Sequence, residues 1–133
     1  ITVQLINNTK EFQQYYKNND TIINILLFVA DWCGPCKRMK PIINQEIIQL
    51  KEMKLSKTIN FIYINIDGCL PISEHFKIST LPTIIIEQNK QHLYRLFSKD
   101  VSNITHLIKE ITITNNTTNE YNPQLSNKII GTV

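Results

Sequence analysis

The stretch "ADWCGPCKRMKP", from Ala30 to Pro41, holds two of the three cysteines of this 133-residue chain, with two residues between them. It follows the continuous apolar run Ile22 to Val29, which is typical of a central strand covered on both faces. From Cys33 to about Lys54, apolar residues recur at helical spacing. The cysteine pair is therefore predicted where a central strand ends and a helix begins, the sheet edge at which α/β folds expose their active groups.

A Cys-x-x-Cys pair has three common uses: half of a zinc site, a structural disulfide, or a dithiol that cycles between reduced and oxidised states. A zinc site needs two further ligands, and the remaining candidates are scattered along the chain: Cys69, His75, His92 and His106. A disulfide that closes so small a loop removes little entropy from the unfolded chain. We therefore favour the redox dithiol, and we expect no bound metal or cofactor.

The two cysteines are predicted to have different roles. We expect Cys33 to stand at the helix N-terminus, where unpaired backbone N–H groups and the helix dipole stabilise a thiolate and lower its pKa. Cys33 would then be the attacking group. Cys36 lies one turn further along, and we expect it to be more buried and to act as the resolving thiol.

The remaining patterns predict an α/β fold. Alternating or β-branched runs indicate four more strands: Thr2–Ile6, Asn60–Ile66, Thr83–Ile86 and His92–Phe97. Caps and helical spacing indicate three more helices: Asn8–Asn18, Pro71–Phe76 and Val101–Ile111. The resulting order, β-α-β-α-β-α-β-β-α, predicts a central mixed β-sheet flanked by helices on both faces.

Composition limits the domain count and the partners. With 42% hydrophobic residues, we expect one domain, residues 1–112, and then a polar, loosely held tail, residues 113–133. The net charge of +3 includes no long run of Lys and Arg, so nucleic-acid binding is not expected. No segment approaches the ~18 uninterrupted apolar residues of a membrane span. We expect a soluble monomer.

The segment "WCGPCK", Trp32 to Lys37, resembles the active-site signature of the thioredoxin family. Pro41 stands five residues after Cys36, at the position of the proline that kinks the family's active-site helix. Leu81-Pro82-Thr83 is similar to the family's cis-proline segment, and "NID" at Asn65 to Asp67 is similar to the end of its third strand. The resemblance covers about residues 2–111 and implies the thioredoxin fold.

The resemblance implies a thiol-disulfide oxidoreductase that reduces protein disulfides. Cys33 would form a mixed disulfide with the substrate, and Cys36 would then release the reduced product. The dipeptide between the cysteines is similar to that of the reducing members. The implied partners are disulfide-containing client proteins and a thioredoxin reductase or another dithiol reductant. The supporting and substrate-contacting positions that it implies are Trp32, Gly34, Pro35, Lys37, Leu81, Pro82 and Thr83.

Two positions depart from the family pattern. The buried Asp six residues before the nucleophile is Leu27 here, and the Lys that pairs with it is Tyr63. Because that Asp is thought to manage the proton of the resolving cysteine, we expect slower resolution or a shifted pH dependence. Two alternatives stay open: a disulfide oxidase or isomerase of a secretory compartment, and a binding module of a larger complex. The two departures favour the binding module among these alternatives.

Three further points stay open at this level. The cytoplasm is the expected location, but Ile1 is not a Met, so a removed targeting segment keeps organellar and secretory locations open. We expect Cys69 to be a spare, partly exposed thiol, with a regulatory thiol as the alternative. Three basic residues follow the dithiol: Lys37, Arg38 and Lys40. We expect them either to recruit acidic partners or stabilise the thiolate, or to form a solvated helix face.

Overall fold

A computed structural model of the protein describes residues 1–117. Its strands are β1 (Thr2–Ile6), β2 (Ile22–Val29), β3 (Thr58–Asn65), β4 (Thr83–Gln88) and β5 (Gln91–Leu96). Its helices are α1 (Thr9–Tyr15), α2 (Gly34–Lys51), α3 (Leu70–His75) and α4 (Ile104–Thr117). Two 3₁₀ segments, Ile66–Gly68 and Ser98–Asn103, follow β3 and precede α4. The predicted order of strands and helices is confirmed.

The five strands form one mixed sheet in the order β1-β3-β2-β4-β5. β1 and β2 both pair with β3 in parallel, whereas β4 runs antiparallel to β2 and to β5. β2 therefore lies at the centre, and its residues 23–29 are all buried. This position explains why that segment is continuously apolar instead of alternating.

Helices cover both faces of the sheet, as predicted. α2 and α4 pack over one face, where Ile25 and Leu27 of β2 point into the core. α1 and α3 cover the other face, where Leu26 and Phe28 contribute to a second core. Because successive side chains of a strand point to opposite faces, one apolar strand supplies both cores.

A buried carboxylate joins α2 to α4. Glu46 is only 4% exposed, and its Oε1 accepts a hydrogen bond of 2.9 Å from the backbone N–H of Thr105. The Thr105 hydroxyl donates in return to the Glu46 carbonyl oxygen at 3.2 Å. Since the first N–H groups of a helix have no partner within it, Glu46 satisfies one of those of α4 and fixes α4 on α2.

The hairpin between β4 and β5 is tighter than its sequence predicts. Only two residues separate the strands, and both have positive φ: 51° for Asn89 and 66° for Lys90. Such a turn suits the right-handed twist of paired strands but is costly for a lysine. Hydrogen bonds hold it in place, from the Lys90 N–H to Asn18 Oδ1 and from Asn89 Nδ2 to Asp20 Oδ1.

The last helix continues beyond the predicted domain boundary at residue 112. α4 includes residues 113–117, which sequence patterns assigned to the tail. Inside this helix the Thr112 hydroxyl donates a hydrogen bond of 3.1 Å to the carbonyl oxygen of Ile108, one turn earlier. The rest of the predicted tail, residues 118–133, lies outside the described residues. Within residues 1–117, no helix is both long enough and apolar enough to cross a membrane.

Candidate functional site

The cysteine pair lies at the carboxyl end of β2, as predicted. Cys33 is the N-cap of α2, and its sulfur accepts a hydrogen bond of 3.2 Å from the backbone N–H of Cys36. The two sulfurs form a disulfide, so the structure represents the oxidised form. Cys33 is 4% exposed and Cys36 is 2% exposed, so their burial differs little in this form.

Local sequence explains how α2 begins at this point. Pro35 lies in the first turn, where its missing N–H costs nothing, and Pro41 lies inside the helix. Gly34 leaves room for a neighbour: a Cβ built on it would lie 3.3 Å from the Arg38 Nη1 atom. The Arg38 guanidinium therefore lies against the backbone between the two cysteines.

A mainly apolar groove of about 450 Å³ opens beside Cys33. Its lining residues are Trp32, Cys33, Gly34, Pro35, Ile66, Ile78, Ser79 and Leu81. Trp32 is 68% exposed, and its Nε1–H donates to Asp67 Oδ2 at 3.1 Å. This bond fixes the direction of the indole ring while leaving its surface open to a binding partner.

The groove brings together five of the nine predicted site residues: Trp32, Cys33, Gly34, Pro35 and Leu81. Cys36 lies beneath them in the core that α2 shares with the sheet.

The other three predicted positions do not line the groove. Lys37 is exposed on α2. Pro82 and Thr83 are buried; the Leu81–Pro82 bond is cis, and the Thr83 hydroxyl donates to the Thr80 carbonyl oxygen at 2.6 Å.

Sequence reasoning missed three lining residues on the opposite wall: Ile66, Ile78 and Ser79. Ile66 directly follows β3, and the other two precede Leu81 by three and two positions. The one sequence signal for these three residues was that they lie next to segments already identified as part of the site. Nothing in the sequence places the end of β3 beside the segment before β4, because that proximity follows from the order of strands in the sheet.

The two positions that depart from the family pattern face each other. Leu27 of β2 is the register partner of Tyr63 of β3, and both belong to the apolar core that contains the two cysteines. The Lys40 ammonium lies 5.7 Å from the centre of the Tyr63 ring. An apolar and aromatic pair therefore occupies the place where the family has an ionisable pair. Burial raises the pKa of Tyr63 to about 12.

The Tyr63 pKa predicts a change of stability in alkali. Unfolded tyrosine ionises near pH 10, whereas folded Tyr63 stays neutral to about pH 12. Between these values the unfolded chain binds fewer protons, so the free energy of unfolding falls as pH rises. Urea unfolding of the oxidised protein at pH 9, 10 and 11 should show a shallower fall for Tyr63→Phe. Tyr15→Phe, at an exposed position, is the control, and equal slopes for wild type and Tyr63→Phe would contradict the prediction.

Cys69 is fully buried, so the expectation of a partly exposed thiol is wrong. It packs in the core beneath α1 and α3, with its sulfur 4.0 Å from the Ile6 carbonyl oxygen. Burial raises the pKa of this thiol, and the nearby Glu11 carboxylate raises it further. Both effects oppose thiolate formation. Within residues 1–117, no three His, Cys, Asp or Glu side chains are grouped so that they could hold a metal ion.

Comparison with known proteins gives consistent matches. A sequence model of the family described as Thioredoxin matches residues 3–112. The thioredoxin of Coprinus comatus is 30% identical over 108 residues, which cover 81% of this chain and 96% of that protein. The thioredoxin of Neurospora crassa is 32% identical over 87 residues, 65% of each chain, so the match spans less than two thirds of that relative.

Solved structures agree on the fold. The crystal structure of a thioredoxin from Nicotiana alata superposes with a TM-score of 0.68 at 21% identity, covering 81% of this chain and 90% of that one. The described part of the chain therefore has the architecture of that protein, including the mixed sheet and the helices on both of its faces.

Proposed function

The chain belongs to the thioredoxin family, and we propose that it is a thiol-disulfide oxidoreductase that reduces disulfide bonds in client proteins. The observation that carries this proposal is the position of the Cys33–Cys36 disulfide, at the N-terminus of α2 and at the base of an open apolar groove. Cys33 lines this groove, so a partner bound there can approach it, whereas Cys36 does not line the groove and lies in the core.

The first step starts from the reduced protein. Backbone N–H groups and the dipole of α2 stabilise a thiolate on Cys33. The thiolate attacks one sulfur of the substrate disulfide, a bond forms between Cys33 and that sulfur, and the substrate's S–S bond breaks. The second substrate sulfur leaves as a thiolate and takes a proton from solvent.

The second step closes the disulfide seen here. The Cys36 thiol loses its proton and attacks the Cys33 sulfur, a Cys33–Cys36 bond forms, and the bond to the substrate breaks. The substrate sulfur that was bound to Cys33 leaves as a thiolate and takes up a proton. The protein has then given two electrons to the substrate and is oxidised. A dithiol partner, such as a thioredoxin reductase, returns two electrons and restores both thiols.

The groove would hold an extended substrate segment. Trp32, Pro35 and Leu81 offer apolar surface beside Cys33. We propose that the backbone of Leu81, which lines the groove next to Pro82, pairs with that segment as an added strand. We assign Gly34 and Thr83 supporting roles, since Gly34 keeps space open and Thr83 ties the start of β4 to Thr80.

The absence of a carboxylate at position 27 bears on the second step. With Leu27 facing Tyr63, neither position offers an ionised base for the Cys36 proton. We therefore propose that the proton passes to solvent or to the leaving substrate thiolate, which makes resolution slower, or shifts its pH dependence, relative to proteins with the buried Asp.

The remaining proposals concern the partners of the protein and its cellular location. We propose a monomer that acts on disulfide-containing proteins, with residues 1–112 as the working domain. The proposed location is the cytoplasm, with an organelle or the secretory pathway as the alternative. The binding-module alternative gains support from the Leu27–Tyr63 pair. An oxidase or isomerase would show a reduction potential well above that of ordinary thioredoxins.

Reduction of insulin disulfides by the purified protein with dithiothreitol tests the proposed function. We expect the onset of turbidity to come much sooner than with dithiothreitol alone, because the protein relays electrons from the small dithiol to insulin. A rate equal to that of dithiothreitol alone would contradict the reductase and favour the binding module. A measured reduction potential in the oxidase range would favour the oxidase.

A further inference from the structure

The guanidinium of Arg38, an exposed residue, lies close to the backbone between the two cysteines. It lies over Gly34, 3.3 Å from where a Cβ on that glycine would be. Gly34 itself lines the groove beside Cys33. The positive charge of Arg38 therefore lies on the α2 side of the groove, next to Gly34, the residue that follows Cys33.

Within the described residues 1–117, no ion pair to Arg38 is found. The ion pairs found within residues 1–117 join His92 to Glu87 and His106 to Glu110, and neither involves Arg38. Residues 31–40 contain three basic side chains and one acidic side chain, Asp31. The Asp67 carboxylate accepts the Trp32 indole N–H, on the Trp32 side of the groove.

The side chains that line the groove on the side away from α2 are uncharged. They belong to Ile66, Ile78, Ser79 and Leu81. The lining of the groove is thus uncharged and mainly apolar, with the Arg38 charge beside Gly34 and the Asp67 carboxylate beside Trp32.

From this arrangement, and resting on the proposed reductase function, we propose that Arg38 determines substrate specificity by binding a carboxylate next to the substrate's disulfide. The favoured substrate is a protein whose disulfide is flanked by Asp or Glu. A guanidinium suits this role because its N–H groups match a carboxylate in a two-bond geometry. Because the site is exposed, the ion pair between Arg38 and the substrate carboxylate mainly raises the encounter rate and the preference for acidic substrates. Added salt weakens this ion pair.

The experiment uses two synthetic cyclic peptides that share one disulfide and differ only in their flanking residues, Glu in one and Gln in the other. The pre-reduced protein is mixed with each peptide at low salt, quenched with acid, and analysed for a second-order rate constant. Each rate constant is divided by that of dithiothreitol with the same peptide, which removes differences in intrinsic disulfide reactivity. We expect the Glu peptide to react about threefold faster, the size that an exposed ion pair supports.

Two variants test whether Arg38 causes the preference. Arg38→Met should bring the ratio to about one, and Arg38→Lys should keep part of it. Lys51→Met, at the far end of α2, should leave the ratio unchanged. A ratio near one in the wild type would overturn the proposal while the reductase function stands. Equal decreases of the rate constants for both peptides in Arg38→Met would also overturn the proposal, because Arg38 would then affect the reactivity of Cys33 and not the choice of substrate. If neither peptide is reduced, the proposed function fails, and this proposal fails with it.

Discussion

Replacing Cys33 with serine is expected to lower the protein's own contribution to insulin reduction by about a thousandfold or more, so that the observed rate falls to that of dithiothreitol alone. A serine hydroxyl is not ionised at neutral pH and does not attack a disulfide, so the first step is lost. Cys33 is also the N-cap of α2, but serine is a good N-cap, so the variant should fold normally. Unfolding in urea, compared with the reduced wild type, checks that the fold is intact.

Cys36→Ser should behave differently, because the first step survives and the second does not. The mixed disulfide between Cys33 and the substrate should then accumulate. Mass spectrometry under non-reducing conditions should detect one substrate chain per protein, which added dithiothreitol releases. Cys69→Ala is the matched control and should retain full activity, since Cys69 is buried in the other core. A Cys33→Ser protein that still reduces insulin, or a covalent product through Cys69, would contradict the assignment.

Replacing Gly68 with alanine is expected to lower the free energy of unfolding by about 2–3 kcal/mol, a typical cost of overfilling a packed site. A Cβ at this position would lie 1.8 Å from the Asn7 carbonyl oxygen and 2.9 Å from its carbonyl carbon. Both atoms belong to the backbone, which cannot swing aside as a side chain would. The connection from β1 to α1 and the turn after β3 would therefore have to separate.

Gly34→Ala is the matched control, because its new Cβ would meet only the movable end of Arg38. Its free energy of unfolding should change by less than about 1 kcal/mol, within the range of helix propensity. Urea unfolding measures both variants. Gly68→Ala should also change the fluorescence of Trp32, because Asp67, the partner of the indole, is its neighbour. A Gly68→Ala protein as stable as the wild type would contradict the close approach to Asn7.

The main features of the fold could be predicted from local patterns. The apolar run that became β2 and the helical spacing that became α2 placed Cys33 at a strand-to-helix junction, and the structure has it there. These patterns succeed because a strand or a helix is specified by neighbouring residues, through side-chain alternation and periodicity. The two-residue hairpin turn was harder to predict, since Lys90 adopts a positive φ that its residue type disfavours.

Most of the features that sequence patterns missed join distant parts of the chain. Glu46 meets Thr105 across two helices, Trp32 meets Asp67 across two loops, and Cys69 is enclosed beneath α1 and α3. No local pattern encodes these contacts. They arise from the order in which the sheet arranges its strands.

The amino-acid sequence by itself determined the dithiol, its position at the start of a helix, and the apolar pattern that requires a sheet covered on both faces. The tertiary structure alone decided which residues face Cys33 across the groove, how deeply Cys69 lies, and where the Arg38 charge stands. The physical reason is that secondary structure and motif chemistry depend on residues close in sequence. Burial, cavity shape and electrostatic surroundings depend instead on segments brought together only by folding.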